Sequence, residues 1–486
     1  MLQSVKKFLE VKINLRNVAR FRCVLVENTA KAGCSSNREL PQLESDKHQL
    51  HFNDSRLSTE SKSSSDILKA FVILKLCTIN TLVDNSEKLL AWCKGIFGDQ
   101  FYEKIIKRTI YKQFVAGETE QDVKFIASNL QKSNINCMFC IPSEDITADN
   151  LLLNAHDVEL LYDTNLNLML DCIDITASLG CFAQTKITPF ISSDAVREVT
   201  DLLSDYKVNH DKRPSELSVT TWSKALDSNH ESKFLPNCNS ATNKHVKKSL
   251  TRLDNLANHA QERGVKLMLD AEYLSLQAGM DLIILAMQQK YNQQNPIVYN
   301  TYQCYRKDTP ARIQNDVEYA EKHNFKIACK LVRGAYMEHE RERAAKYGYE
   351  DPICDSIEET ERNYKLATDL MLPLVAKGKA EVMFATHNED CVEYGVKRIK
   401  ELGVKPDDGS VSFGQLYGMC DHVSYGLGNA GFIVHKSVPY GTVESSILYL
   451  LRRAQENKSM LKRTAKESAI LLSEMKRRAW RMFGYV

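Results

Sequence analysis

The sequence has no run of about twenty apolar residues, the length a bilayer-spanning helix requires. Its nearest approach, Ile67 to Cys77, is too short and contains Lys69 and Lys75. Charge of one sign is also lacking. Lys and Arg number 64 against 62 Asp and Glu, a formal +2 that gives no footing for a nucleic-acid partner. No G-x-G-x-x-G follows a strand-like run, which argues against a Rossmann-bound dinucleotide. The fourteen cysteines lack the spacing of a zinc module. Cys137-x-x-Cys140 stands alone in the apolar, strand-like stretch Asn136–Pro142, with no second pair or H-x-H after it. Reduced thiols and no metal site are expected. The polar stretch 195–240 carries Asp205, Asn209, Asp211, Ser215 and Glu216, but not in D-x-D-x-D-G order, so no calcium loop is expected.

The 486 residues, 43% hydrophobic and 26% charged, suit a soluble globular protein with one large or two smaller domains. Residues 1–30 carry Lys6, Lys7, Lys12, Arg16, Arg20 and Arg22, with Glu10 the one acid before Glu27. That basic, amphipathic pattern predicts a mitochondrial transit peptide. Residues 31–65, rich in Ser, Asn, Asp and Lys, read as a flexible linker. Residues 66–180 are mainly helical in period, punctuated by Gly98 and Gly117, and predict a helical arm without a catalytic constellation.

From about 181 to 458 short apolar runs alternate with helical patterns. Strands are expected at Gln184–Thr188, Lys266–Asp270, Ile297–Gln303, Phe325–Val332, Val382–Ala385, Val411–Phe413 and Phe432–Val438. Helices are expected between them, as at Leu274–Tyr291 and Thr309–His323. Repeated strand–helix units predict a parallel α/β fold, and pattern alone leaves it open or closed. The polar residues cluster at the C-terminal ends of these strands: Lys186, Asp270, Gln303, Lys330, Arg333, Thr386, His387, Asn388, Gln415 and Ser437. Buried strand ends rarely hold such residues unless something polar sits there. Gln303, Thr386, His387 and Asn388 suit a large polar cofactor, Lys330 and Arg333 a pyrophosphate or ring edge, and Gly334 and Ala335 a close backbone approach.

The last strand ends in Ser437-Val438-Pro439-Tyr440-Gly441, and a helix follows with Tyr449, Arg452, Arg453 and Glu456. Two guanidiniums there can clamp a small carboxylate, although for the helix taken by itself a solvated face with i,i+4 ion pairs is the better reading. With Lys186 they make a cationic group that Asp270 can balance while orienting an arginine, and Tyr336 adds an aromatic edge. YLLRRAQEN after VPYG, with KLVRGAY, ATHN, DAE and GQLYGM upstream, resembles the proline dehydrogenase family over roughly Ala183 to Asn457, and more loosely at YKQFVAGET, 111–119.

The resemblance implies a distorted (β/α)8 TIM-like barrel with FAD as cofactor. It implies Lys186, Asp270, Tyr336, Arg452 and Arg453 at the substrate, with Leu416, Ser437 and Tyr449 lining its pocket. It places Gln303, Lys330, Val332, Arg333, Gly334, Ala335, Thr386, His387, Asn388, Gln415 and Glu456 around the flavin. Many members have tyrosine two residues before the motif proline, where this chain has Ser437. The branch acting on hydroxyproline resembles this chain there and in FGQLYGMCDHVS. The implied reaction is oxidation of trans-4-hydroxy-L-proline, or L-proline, to a pyrroline carboxylate, with electrons passed to a membrane quinone. An ordinary L-proline dehydrogenase, a related folate-directed flavin barrel and a catalytically silent protein of the same fold are the alternatives. The basic tail 459–486, with Trp480 and Phe483, is expected either on an anionic membrane surface of the mitochondrion or docked on the barrel.

Overall fold

Eight short strands, each parallel to both neighbours, close into a barrel in the order β1 to β8. They are β1 Ile135–Cys140, β2 Phe182–Thr185, β3 Lys266–Leu269, β4 Val298–Gln303, β5 Ile327–Val332, β6 Ala380–Ala385, β7 Val411–Leu416 and β8 Val434–Pro439. The computed structural model describes residues 50–60, 62–142, 155–180, 182–204, 210, 213–227, 240–459 and 461–482. The expected transit peptide at 1–30 lies outside these residues, as does most of the 31–65 linker.

Closure depends on a strand upstream of residue 181. β1 pairs with β2 through Met138 and Phe182, and with β8 through Met138 and Ser437. Its helix, Ala155–Ala177, packs over β1 and β2. The Asn136–Pro142 run is strand-like in sequence, but it stands apart from the strand–helix rhythm that begins at Ala183. Its place in the barrel is therefore a tertiary fact, and every later strand moves up one in the count.

Alternation along the strands divides the barrel interior into layers. Met138, Phe182, Met268, Tyr299, Ala328 and Met383, from six strands, meet in one buried apolar cluster that forms the floor. His435 packs edge-on to Phe182 in this layer, with ring centroids 4.8 Å apart. The same alternation separates Cys137 from Cys140. Three residues apart on one strand, they point to opposite faces. Cys137 joins the large cluster between strands and helices, and Cys140 points to the inside, so the C-x-x-C spacing does not bring two sulfurs together.

The arm is built from helices Ser64–Leu76, Asn80–Asp84 and Ser86–Ile106, the last broken at Gly98, whose φ of 74° lies in the left-handed region. It packs on the helix after β8, Val443–Ser459, through Ile73, Val83, Ile106, Tyr111, Phe114, Val443, Leu450 and Ala454. The 111–119 segment is tied to the end of β8 by backbone bonds, Ala116 N to Pro439 O at 2.9 Å and Gly441 N to Gly117 O at 2.9 Å. Gly418 (φ +78°) permits this docking, because a Cβ there would lie 2.0 Å from the Gln113 carbonyl oxygen. The C-terminal helix Leu461–Met482 buries Leu471 against Ile67, Ala70 and Leu74 of the arm.

Candidate active site

The polar mouth begins one inward-facing residue above the floor. Gln184 follows Phe182, Asp270 follows Met268, Lys330 follows Ala328 and Ser437 follows His435 on their strands. These four side chains form one chain of contacts across the barrel. Lys330 Nζ pairs with Asp270 Oδ1. Gln184 Nε2 donates to Asp270 Oδ2 at 2.6 Å, and Ser437 Oγ donates to Gln184 Oε1 at 2.8 Å. Cys140 sits beside Ser437. Burial raises its thiol pKa to about 12, which makes it a neutral wall residue and a poor nucleophile.

A second layer lies above the first. Lys186 Nζ is 3.1 Å from Glu272 Oε2, and Thr188 Oγ1 donates to Glu272 Oε1 at 2.8 Å. Burial works against the Lys186 ammonium, yet Glu272 and the Tyr336 hydroxyl beside it hold its pKa above the ordinary value. Gln303 Nε2 donates to Glu272 O at 2.7 Å and to the Tyr305 hydroxyl at 2.9 Å. Tyr336 packs on Tyr273 with centroids 4.6 Å apart, and burial raises its phenol pKa.

The helix after β8 closes one side. Arg453 is buried and lies over the Tyr449 ring, 4.7 Å from its centroid, while Nη2 donates to Glu456 Oε1 at 2.5 Å. Burial lifts the Glu456 carboxyl above its usual range against the pull of Arg453 and Arg452. Arg452 is exposed, and its charge is felt at Lys186; Arg453 lies near Tyr336 and Cys140. Leu416 pairs in register with Ser437 and packs in the cluster that contains Tyr449.

Several expected positions differ in detail. Asp270 pairs with Lys330 and, among the described residues, with no arginine, and Arg453 is held by Glu456. Two carboxylates thus divide the work expected of one. Gln415 points outward, accepting from Ser424 Oγ at 2.8 Å and donating to Thr386 O at 3.3 Å. Its neighbours Gly414 and Leu416 are the inward residues, because alternation along β7 leaves no other choice. Asn388 caps the helix Glu389–Glu401 through Cys391 N at 2.8 Å, and Thr386 Oγ1 accepts from Asn388 N at 3.0 Å. His387 Nε2 accepts from Leu416 N at 3.1 Å, so that nitrogen carries no proton there. Val332 and Arg333 are half-buried at the end of β5, and Gly334 and Ala335 are exposed in the loop that follows. Arg333 Nη1 reaches Cys391 Sγ at 2.9 Å. Gln184, Cys140 and Tyr305 are residues of this mouth that sequence reasoning missed, and Glu272 entered it only as part of the DAE strand end, without a role. Gln184, Glu272 and Tyr305 each lie two residues from an expected site residue, Lys186, Asp270 and Gln303, and spacing alone could have pointed to them.

Two buried polar atoms in this mouth have no hydrogen-bond partner among the described residues, Gln303 Oε1 and the Tyr449 hydroxyl. Buried polar atoms are normally satisfied, so these two can take partners from a bound polar group. With Lys330, Arg333 and the open loop at Gly334, they make a donor and acceptor set that fits a phosphate-bearing flavin dinucleotide. Among the described residues no cluster of His, Cys, Asp or Glu could hold a metal.

The sequence profile of the proline dehydrogenase family matches residues 175–466. This chain belongs to the proline dehydrogenase family. It is an oxidoreductase by that membership. It is 37% identical to hydroxyproline dehydrogenase of Xenopus laevis over 86% of this chain and 88% of that protein, and 36% identical to hydroxyproline dehydrogenase of Homo sapiens over 86% and 91%. Identity to mitochondrial proline dehydrogenase 1 of Homo sapiens is 28%, over 88% and 90%. The barrel superposes on proline utilization A from Bdellovibrio bacteriovorus with a TM-score of 0.56 at 18% identity, covering 83% of this chain and 38% of that longer protein. At that identity the likeness is one of fold.

Proposed function

We propose that this chain is an FAD-dependent dehydrogenase of trans-4-hydroxy-L-proline. The observation that carries the reading is the buried Arg453, held over Tyr449 and by Glu456, with Tyr336 near both it and Lys186 and with Ser437 where many family members have tyrosine. In this reading Arg453, Arg452 and Lys186 bind the substrate carboxylate, and Tyr336 covers the ring. A cationic clamp fixes the ring in one orientation, which converts binding into alignment. Glu272 keeps the Lys186 ammonium charged and Glu456 orients Arg453. Lys330, anchored by Asp270, with Gln303, Arg333 and the 386–388 strand end, would hold the flavin. Held there, FAD would supply the two-electron acceptor for the hydride of the ring carbon next to nitrogen; with the nitrogen's proton also lost, the product would be a 3-hydroxy-pyrroline-5-carboxylate. The substrate amine must reach the site neutral, and the cations around it favour that form.

The electron acceptor in this reading is a quinone, reached from the surface of the mitochondrial inner membrane. No described helix is long and apolar enough to cross a membrane. The arm, however, exposes Trp92 (61%), Ile96 (55%) and Phe101 (51%) beside Lys88, Lys94, Lys104, Lys107 and Arg108, a composition suited to an anionic lipid surface. The C-terminal helix has its apolar side occupied by the arm, so the arm is the better candidate for peripheral contact. The deciding experiment is kcat/KM for trans-4-hydroxy-L-proline and L-proline with added FAD and a soluble quinone. Preference for the hydroxylated ring is the expected result. Preference for proline would leave an L-proline dehydrogenase, and no turnover by flavin-loaded protein would leave the fold without this substrate class.

A further inference from the structure

Gln184 sits inside the barrel between two groups that the reading above places at the substrate. It opens the expected strand Gln184–Thr188, away from the polar C-terminal end, and belongs to none of the motifs named above. Its amide nevertheless joins Ser437 to the Asp270–Lys330 pair by two short hydrogen bonds. The direction of those bonds is fixed by chemistry. Ionised Asp270 can only accept, and its two oxygens already receive Lys330 Nζ and Gln184 Nε2. The Gln184 amide must therefore turn its nitrogen to Asp270 and its oxygen to Ser437. An amide oxygen also only accepts, so the single hydroxyl proton of Ser437 is committed to Gln184. Toward the mouth Ser437 presents lone pairs alone. The neighbouring Cys140 thiol is a weak donor and leaves that polarity unchanged.

We propose that Gln184 is a positioning residue that fixes Ser437 as a hydrogen-bond acceptor, so that the pocket selects a ring substituent able to donate. Selection then follows from polarity as well as from the space left by the missing tyrosine. A ring hydroxyl satisfies the Ser437 lone pair. A ring of the same size with fluorine in its place brings a second acceptor, and an unsubstituted ring brings nothing. Without Gln184 the serine hydroxyl is free to rotate and can donate or accept, which removes the distinction. The inference rests on the proposed substrate class, but it concerns binding and can be read without turnover.

The test is titration calorimetry on chemically reduced, flavin-loaded protein, where binding is not followed by oxidation. The ligands are trans-4-hydroxy-L-proline, trans-4-fluoro-L-proline and L-proline. The intact protein is expected to bind the hydroxylated ring at least about fivefold more tightly than the fluorinated one, the worth of roughly one neutral hydrogen bond. Gln184→Leu should bring that ratio close to one, as Ser437→Ala does, while the affinity for L-proline moves much less than the ratio. Gln184→Glu supplies a conservative rescue. Beside Asp270 its carboxyl is driven to share a proton, and as pH falls it regains a donor toward Asp270 and an acceptor toward Ser437. The hydroxyl-to-fluoro ratio of Gln184→Glu should therefore recover on acidification, and that of Gln184→Leu should not. A ratio unchanged in folded, flavin-loaded Gln184→Leu overturns the inference, as does an intact protein that binds the two rings equally. Turnover that favours proline alongside a preserved hydroxyl-to-fluoro preference would instead fault the functional reading and leave the role of Gln184 standing.

Discussion

The floor and the mouth of the barrel are made from the same strands, often by residues two apart on the same face. Phe182 and Gln184, Met268 and Asp270, Ala328 and Lys330, and His435 and Ser437 are such pairs. In each, the lower residue is apolar or, at His435, held uncharged, and the upper one is polar and hydrogen-bonded. A rise of about 6.6 Å along the strand separates a layer that contributes stability from one that contributes chemistry. Below the floor the one ion pair at hand, Lys266 with Glu381, is already closed on itself and on the Tyr299 hydroxyl, so a further charge placed in the floor would have little to pair with.

Substitutions in the two layers should therefore separate in what they change. The largest effect belongs to the mouth. Arg453→Ala should lower kcat/KM by roughly a thousandfold, about 4 kcal/mol, mostly through KM, because a buried charge in a hydrogen-bonded pair is lost from the carboxylate site. Steady-state kinetics with flavin content measured in parallel would check it. If flavin is lost while KM is unmoved, the clamp assignment is wrong. Met268→Ala, in the floor, should destabilise the fold by about 3 kcal/mol, as expected for truncating a fully buried side chain, and leave kcat/KM of the folded protein little altered. Chemical denaturation against kinetics on one preparation distinguishes the two layers.

How much of this was legible in the sequence follows the same division. The strand–helix rhythm from Ala183 onward is carried by apolar runs, and apolar runs are what periodicity detects. The strand ends were legible because Lys186, Asp270 and Lys330 stand out against them. β1 was legible as a strand but not as a member of the barrel, since its partner β8 lies almost 300 residues further on and no local signal connects them. Gln184 shares a face with Lys186 two residues on, but an uncharged polar residue at the start of an expected strand gave no sign of a partner, since Asp270 and Ser437 meet it only in the closed barrel. Arg452 and Arg453 were legible as a pair, but only the helix docking tells the exposed one from the buried one.

An intermediate effect is expected where the floor meets proton chemistry. Burial, with the Lys266 charge nearby, lowers the pKa of His435 to about 3, and its Nδ1 has no partner among the described residues. Unfolded, the same imidazole takes a proton near pH 6.5. Above that pH the depressed value costs nothing. Below it the unfolded chain binds a proton that the folded chain refuses, so stability falls with falling pH until about 3. His435→Leu removes that slope without breaking a bond at Nδ1. Between pH 7 and pH 5 the loss of unfolding free energy should be smaller in the variant by about 2 kcal/mol. Equal slopes in denaturation curves would mean that His435 is accessible to protons in the fold.

The smallest effect lies two residues away, on the same face of β8. Ser437→Ala removes one hydroxyl from a layer where Gln184 would keep its bond to Asp270. The variant should unfold at nearly the same denaturant concentration as the intact protein, and its stability should follow pH in the same way. Its selectivity should change, with the preference for hydroxyproline over proline falling by roughly fivefold, about 1 kcal/mol, because one neutral hydrogen bond to the substrate is lost. The two substitutions on β8 thus make opposite claims. His435→Leu should alter the pH dependence of stability and leave selectivity alone, and Ser437→Ala should do the reverse. If Ser437→Ala shifts stability and not selectivity, the serine belongs with the floor, and the boundary between the layers runs above it.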